Sequence, residues 1–264
     1  MSLTLTPLSR IPFIRRDDNL ADILVKSLSD SNIVVQDDDI LVLAQKIVSK
    51  AEGRSVNLNT VSPSQRAQEL ALETNKDPRL VELILQESNE VLRTRPGVII
   101  VEHRLGFVCA NAGIDHSNVG PSTTHEESAE GTAVREDTVL LLPENPDGSA
   151  LALHRQMREK TGKQIGILII DSHGRAWRNG TVGIAIGMAC LPGIEDLRGK
   201  PDLFGYTLQV TQVGVADELA AAASLVMGQA AEGTPAVHVR GFPYPLRESS
   251  LRELIRPKDQ DLFR

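Results

Sequence analysis

Apolar residues recur in short runs along the chain, and each run predicts a buried element. The stretch Asp39 to Leu43 predicts a buried strand, which runs into QKIVSKAEGR, where Gly53 is a natural stop. The segment VIIVEHRLGFVCAN predicts two strands joined by a tight turn near Arg104 to Gly106. A further strand, IGILIID, is predicted to end at Asp171, because the SHG that follows has the composition of a turn.

Helices are predicted from their starting residues. Ser62 is the predicted N-cap of one helix, with Pro63 in its first turn and Gln65 reaching back to the cap. A second helix is predicted to begin at Asp77 and Pro78. Near the carboxyl end, TLQVTQVGV alternates like a half-buried strand, ADELAAAASLVMGQ reads as an alanine-rich helix and AVHVRG as a last strand. The second helix carries an apolar stripe at helical spacing: Leu80, Val81, Ile84, Leu85, Val91 and Leu92.

The order of these elements indicates the fold class. Strand and helix segments are interleaved without the regular spacing of a doubly wound fold, and no internal repeat is visible. An α+β fold with mixed sheets and flanking helices is therefore predicted. The 264 residues are expected to form a single unit, with or without two subdomains. Residues 119–138 are polar and rich in turn formers, which predicts an exposed inserted loop.

The composition of the chain argues against several classes of protein. Hydrophobic residues make up 41% of the chain and charged residues 24%, as in packed, water-soluble proteins. The net charge of -7 argues against a nucleic-acid partner. The longest apolar stretch, Val182 to Leu191, is too short to span a membrane, and no secretory signal is visible, so a cytoplasmic location is expected. Two cysteines are too few for a disulfide framework and lack the spacing of a zinc site.

Two acids follow predicted strands and are candidates for chemistry. Asp115 and Asp171 each stand where a short side chain is held rigidly, and hard divalent cations prefer such oxygen ligands. Ser172 would add a hydroxyl oxygen and Gln229 a carbonyl oxygen. Spacing alone is weak support, because acids in turns more often cap helices or bond their own backbone. Both interpretations stay open at this point.

A phosphate-binding region is suggested around the first acid. The segment NAGIDHSNVG is rich in residues that tolerate tight backbone conformations and expose amide groups, although such a segment taken by itself is more often a simple connecting loop. Nearby cations would pair with phosphate oxygens, or only solvate a surface. The residues concerned are Asn111, Gly113, Asn118 and Gly120 in the loop, and the cations Lys46, Lys50 and Arg54.

Other motifs are ambiguous or missing. Arg175 and Arg178 flank Trp177 and are suited to clamp a carboxylate or phosphate, but arginines packed on a buried indole are about as common. His173 lies beside Asp171, yet neighbours on one turn rarely point at each other and no G-x-S-x-G elbow is present, so a hydrolase triad is rejected. The usual nucleotide-binding fingerprints are absent, so any nucleotide site is unconventional.

Several segments in fixed order resemble one family. SRIPFIRRDDNLADIL, VSKAEGR, NAGIDHSN, LLPENPDGSA, DSHGRAWRNG and MGQAAEGTPAVHVRG look like the coenzyme F-420-0:L-glutamate ligases, also called gamma-glutamyl ligases. The resemblance covers nearly the whole chain except 119–138 and is to the stand-alone form without a fused flavin-binding domain. It implies the family's own fold, in an intertwined homodimer.

The resemblance also implies roles for individual residues. Asp115 and Asp171 would be catalytic and, with Ser172 and Gln229, would bind two Mg2+ or Mn2+ ions, and K+ would be stimulatory. Gln45 and Lys46 stand where archaeal members carry small hydroxyl residues. The implied GTP contacts are Ser9, Arg10, Ile11, Pro12, Lys50, Asn118 and the loop formed by Gly228, Gln229, Ala230, Ala231, Glu232, Gly233, Thr234 and Pro235.

The implied reaction is GTP-dependent addition of L-glutamate to coenzyme F-420-0. The first glutamate is joined by an amide bond and later ones by gamma linkages, through an acyl-phosphate intermediate. The partners would be coenzyme F-420-0 and its glutamylated products, L-glutamate and GTP. Two alternatives remain: a related nucleotide-dependent amide ligase acting on a different carboxylic acid, and a non-enzymatic nucleotide-binding regulator.

Overall fold

A computed structural model describes residues 2–117 and 137–262, and within them strands and helices are mixed. The predicted α+β class is confirmed. The strands are β1 Thr4–Pro7, β2 Ile40–Ala44, β3 Ser55–Asn57, β4 Ser88–Arg95, β5 Val98–His103, β6 Val108–Ala110, β7 Thr138–Leu140, β8 Gly166–Arg175, β9 Arg178–Ala189, β10 Glu195–Asp196, β11 Gln212–Val213 and β12 Ala236–Arg240. The helices are α1 Leu20–Asp30, α2 Gln45–Ala51, α3 Gln65–Thr74, α4 Pro78–Gln86, α5 Pro146–Thr161 and α6 Val215–Met227.

The main sheet has five strands in the order β1-β12-β2-β8-β9. The β2–β8 pair is parallel and the other pairs are antiparallel, so the sheet is mixed as predicted. Alternate residues of a strand face opposite sides of a sheet. Leu41 and Leu43 accordingly join the core with α1 and α5, and Ile40 and Val42 join the core with α6. The sheet is thus buried on both faces.

A third hydrophobic cluster lies away from this sheet. It joins α3 and α4 to the three-stranded sheet β4-β5-β6 and to β7. Helix α4 begins as predicted, with Pro78 in its first turn and the Asp77 side chain accepting a hydrogen bond from the Arg79 backbone N–H at 2.8 Å. This cluster supports β5 and β6, which lead the chain into the first acidic turn.

The predicted start of α3 was wrong by two residues. Ser64, rather than Ser62, is the N-cap, and its Oγ accepts a hydrogen bond from the Ala67 N–H at 3.2 Å. The Ser64 backbone N–H donates to the Glu82 carboxylate on α4 at 2.9 Å. The contact between Ser64 and Glu82 on the neighbouring helix favours Ser64 over Ser62 as the N-cap. The sequence around the two serines does not reveal this contact.

Three other boundaries differ from prediction. Helix α4 ends at Gln86, so Val91 and Leu92 lie in β4, which pairs with β5. Strand β8 continues past Asp171 to Arg175, because antiparallel pairing with β9 extends through these residues. Of TLQVTQVGV, only Gln212–Val213 forms a strand. In the first two cases long-range pairing overrode local composition, whereas β11 contains only the two residues that pair with β10.

Two further predictions concern membranes and the inserted loop. None of the helices among residues 2–117 and 137–262 combines the length and apolar character needed to cross a bilayer. Most of the predicted loop 119–138 falls outside the described residues. Thr138, its last residue, is the first residue of β7, which pairs with β3.

Candidate functional site

Several predicted site segments meet at one end of the main sheet. The parallel neighbours β2 and β8 end side by side, with Ala44 opposite Ile170, so Gln45 and Asp171 follow adjacent strand positions. Strand β12 begins at this end, where Pro235 O accepts a hydrogen bond from Ala44 N–H at 2.8 Å. Strand β1 ends there too. Loops 9–12 and 228–235 therefore lie at the same end of the sheet as Asp171. Ligands of α/β sheets commonly bind at such strand ends.

Asp115 is held at this edge by its backbone. Asn111, Ala112 and Gly113 all have positive φ, between 52° and 65°, and form a tight turn after β6. A Cβ on Gly113 would lie 2.7 Å from a Leu142 methyl carbon, so glycine is required there. Asp115 then exchanges two backbone hydrogen bonds of 2.9 Å with Leu140 on β7. The tight turn predicted from NAGID is confirmed, and it delivers the carboxylate to the sheet end.

The two predicted acids interact electrostatically. Burial and the nearby charge of Asp171 raise the pKa of Asp115 to about 6. Burial and the Asp171 charge also raise the pKa of the Cys109 thiol to about 12. Asp171 in turn contacts His173, whose Nε2 lies 2.9 Å from Asp171 Oδ2. The acids thus form a pair in a partly buried setting that disfavours two negative charges.

Helix α2 supplies donors to this pair. The buried Gln45 donates from Nε2 to Asp115 Oδ2 at 2.7 Å and accepts from Ser49 Oγ at 2.8 Å. Lys46 Nζ lies 3.3 Å from the same oxygen and donates to Ser117 Oγ at 3.1 Å. One helical turn later, burial and the Lys46 charge lower the pKa of Lys50 below its ordinary 10.5. The Lys50 ammonium group therefore lies near that of Lys46, which contacts Asp115.

Ser172 and Gln229 form a second pair on the other face of β8. Ser172 Oγ donates to Gln229 Oε1 at 2.9 Å, and Gln229 Nε2 donates to Ser224 Oγ on α6 at 2.9 Å. Ser172 lies opposite Gly183, which packs against α6, whereas Asp171 lies opposite Ile184, which packs in the other core. Within residues 2–117 and 137–262, no group of three or more His, Cys, Asp or Glu side chains is arranged to hold a metal ion.

The 228–235 loop is shaped by its own polar groups. Gly228 ends α6 with φ 75°. The Ala230 N–H donates to the Glu232 carboxylate at 2.8 Å, and Thr234 Oγ1 donates to Met227 O at 2.7 Å. Hydrogen bonds from backbone N–H groups, its own first and then that of Ala230, lower the pKa of Glu232. The loop thus directs several amide groups at one carboxylate.

The whole chain matches proteins of one family. A sequence model of the F420-0:Gamma-glutamyl ligase family matches residues 9–241. The chain belongs to this family. It is 44% identical over 266 residues to the coenzyme F420:L-glutamate ligase of Methanothermobacter thermautotrophicus, covering 100% of both chains. It is 39% identical over 264 residues to the protein of that name from Archaeoglobus fulgidus, covering 100% of this chain and 97% of the relative. The Methanocaldococcus jannaschii protein of that name is 42% identical over 230 residues, with 87% and 86% coverage.

Not every candidate residue of this gamma-glutamyl ligase family member reaches the site. Arg54 was a candidate phosphate contact, but it donates to Glu87 Oε2 at 2.9 Å and to Leu142 O at 2.9 Å. Trp177 is 88% exposed, so the alternative of a buried indole under the arginines is wrong. Asn118 and Gly120 lie outside the described residues.

Sequence reasoning missed two contacts with the acids. Gln45 entered only as a departure from the archaeal pattern, and nothing local predicts its bond to Asp115, which lies 70 residues away. His173 was set aside because a turn was expected. In the strand that the structure contains, residues 171 and 173 share a face, and the period of two would have paired them.

Proposed function

We propose that this family member is a GTP-dependent ligase that joins L-glutamate to coenzyme F420-0, first by an amide bond and then by gamma linkages. Membership of the ligase family supports the reaction class. The observation that supports the finer proposal is the meeting of the Asp115–Asp171 pair with loops 9–12 and 228–235 at one end of the main sheet.

The reaction needs an activated acid, which explains the use of a nucleotide. A free carboxylate is a poor acylating agent because its leaving group would be oxide. In the proposed first step, a carboxylate oxygen of coenzyme F420-0 attacks the terminal phosphorus of GTP, and GDP leaves. The glutamate nitrogen then attacks the carbonyl carbon of the acyl phosphate, loses a proton and displaces phosphate. Positioning and charge neutralisation supply most of the catalysis in phosphoryl transfer.

The donor set fits a hard divalent cation. Burial and the charge of Asp171 raise the pKa of Asp115 to about 6, so a neighbouring positive charge would be favourable there. Ser172 and Gln229 carry neutral oxygens of the kind that suits Mg2+ or Mn2+, but they pair with each other on the opposite face of β8 from Asp171, so their part in the proposal rests on the family resemblance. We propose that Asp115, Asp171, Ser172 and Gln229 hold two such ions, with K+ as a stimulatory ion. Bound there, the ions would neutralise phosphate oxygens.

The chain's own residues would orient the nucleotide. Lys46 places a positive charge beside Asp115, and Lys50 adds a second charge near Lys46, where phosphate oxygens would meet them. Ser9 to Pro12 and Gly228 to Pro235 flank the same edge, and the amides that now face Glu232 are suited to an anion. Asn118 is proposed as a further GTP contact.

A homodimer is part of the proposal. The segment between β10 and β11 exposes Leu203 by 98%, Phe204 by 95% and Val210 by 85%. Clustered exposed apolar side chains mark association surfaces. Mass measurement in solution, comparing the wild-type protein with Leu203→Ser, tests this: a monomeric wild-type protein would refute it. The cytoplasmic location stays a prediction from the sequence.

The decisive experiment supplies the purified protein with coenzyme F420-0, L-glutamate, GTP and Mn2+. Mass spectrometry is expected to find products heavier by one or more glutamate residues, with one GDP and one phosphate released per glutamate. Asp115→Ala should lose at least about a hundredfold in turnover, the scale of losing one key electrostatic group. Glutamate added only to other acids would establish the alternative amide ligase. GTP binding without phosphate release, with every substrate present, would establish a regulator instead.

A further inference from the structure

His173 contacts Asp171, one of the proposed metal ligands. Its Nε2 lies 2.9 Å from Asp171 Oδ2, and the two residues share one face of β8. We propose that His173 is a positioning residue that fixes the Asp171 carboxylate in the orientation that binds a divalent cation. This inference rests on the proposed function.

The direction of the hydrogen bond follows from chemistry. An ionised carboxylate only accepts hydrogen bonds, so His173 Nε2 carries the proton and donates it to Asp171. The other ring nitrogen, Nδ1, is buried and has no hydrogen-bond partner among the described residues. Burying a polar atom without a partner costs stability. The ring therefore lies in this place despite an unsatisfied nitrogen, and its polar contact there is with Asp171.

Aromatic packing holds the ring. His173 is 7% exposed, and its ring lies against Phe107, with centroids 5.4 Å apart and planes inclined by 56°. Phe107 stacks in turn on His103, with centroids 5.2 Å apart and planes within 8°. His103 Nδ1 accepts a hydrogen bond from the Leu105 N–H at 3.0 Å, which fixes that ring. A packed series of rings thus runs from the β5–β6 hairpin to Asp171.

The consequence is a carboxylate prepared for a ligand. Asp171 Oδ2 is bound by the imidazole, and the described residues provide no hydrogen-bond partner for Oδ1. Asp115 is held in the same way, since Gln45 and Lys46 both contact its Oδ2. Each acid therefore has one oxygen held and one available. Groups that orient metal ligands typically change affinity about 10- to 100-fold when removed.

Two substitutions of similar size separate positioning from packing. His173→Gln places an amide nitrogen near the position of Nε2, so the hydrogen bond to Asp171 is retained. His173→Asn places its amide near Nδ1, out of reach of Asp171. His154→Gln is the control for losing a buried histidine, because the His154 ring contacts Ile165 O at 2.7 Å, in the α1–α5 core. Mn2+ binding is measured by electron paramagnetic resonance in protein without nucleotide or substrate, and melting temperature is measured in chelator.

The expected result is a Kd for Mn2+ raised at least about tenfold by His173→Asn and less than about threefold by His173→Gln. His154→Gln should lower the melting temperature and leave the Kd within about twofold, because it lies outside the shell around the ion. A normal Kd in His173→Asn, or equal losses in both His173 variants, would overturn the positioning role. If His173→Asn does not fold, Phe107→Leu replaces it as the decisive variant: the Kd should rise, and an unchanged Kd would overturn the proposal. No Mn2+ binding by the wild-type protein would instead remove the metal site of the proposed function.

Discussion

The charge of Asp115 is expected to destabilise the protein when no cation is bound. Asp115→Asn keeps the size of the side chain and removes the charge, so it should stabilise the metal-free protein while weakening Mn2+ binding. Burial and Asp171 raise the pKa of Asp115 from an ordinary 3.8 to about 6. Each pKa unit corresponds to about 1.4 kcal/mol, so the charged form is disfavoured in the folded state by about 3 kcal/mol.

The pH dependence has a definite sign. Because the pKa of Asp115 is higher in the folded state, its protonated form stabilises the fold fully below about 3.8, and this contribution is lost as the pH rises through about 6. The advantage of Asp115→Asn over wild type should therefore be about 3 kcal/mol at pH 8 and about half of that at pH 5. The side chain is 26% exposed, so solvent screening reduces the figure only moderately.

Urea unfolding in chelator at pH 5 and pH 8 measures the two differences directly. Glu159→Gln, on an exposed position of α5, is the control for losing a surface charge, and it should change the free energy of unfolding by less than about 0.5 kcal/mol at either pH. The reasoning is refuted if Asp115→Asn is no more stable than wild type at pH 8. An advantage that is the same at both pH values would also contradict it, since the effect would then not be electrostatic.

Three further predictions concern the rest of the fold. Asp39 is 2% exposed and pairs with His238 and with Arg240 Nη2 at 2.7 Å; hydrogen bonds outweigh burial and hold its pKa well below 3.8. Asp39→Asn should lower the free energy of unfolding in urea at pH 7 by about 2 to 3 kcal/mol. This is less than the full value for a buried ion pair, because the Arg240 side chain is 39% exposed. A change near zero would contradict the prediction. A Cβ on Gly187 would lie 2.4 Å from Pro146 Cβ, whereas one on Gly174 would meet nothing within 4 Å. Gly187→Ala should therefore lose about 2 kcal/mol or more and Gly174→Ala much less, and equal melting temperatures would show that the strand shifts freely. Burial raises the pKa of the Cys109 thiol to about 12, and Cys190 is the more exposed of the two cysteines. A thiol reagent at pH 8 should therefore label one cysteine, Cys190, in the native protein and both cysteines in urea.

The parts of the fold that local chemistry controls were predictable. Asp77 and Pro78 start α4 because an N-cap oxygen and a proline in the first turn act within a few residues. The strands β2 and β12 and the helix α6 were likewise found from apolar runs. The resemblance named the family correctly, because motifs such as NAGIDHSN and DSHGRAWRNG are continuous stretches of chain.

Elements whose partners are distant were not predictable in the same way. Val91 and Leu92 continue the helical stripe of α4, yet pairing of β4 with β5 places them in a strand. Residues 172–174 have turn composition, yet pairing with β9 keeps them extended through Arg175. Both outcomes depend on backbone hydrogen bonds to another segment, which compete with local preferences and are not encoded in any short window.

The candidate site divides in the same manner. By itself, the sequence determined which groups are available: two acids placed after apolar runs, a hydroxyl, an amide and several cations. Tertiary structure decided that Asp115 and Asp171 lie close enough to perturb each other, that Gln45 and His173 each hold one of them, and that Ser172 faces away with Gln229. The physical reason is that electrostatic and hydrogen-bond energies depend on distances of a few ångströms, and strand order and register decide which distant residues come that close.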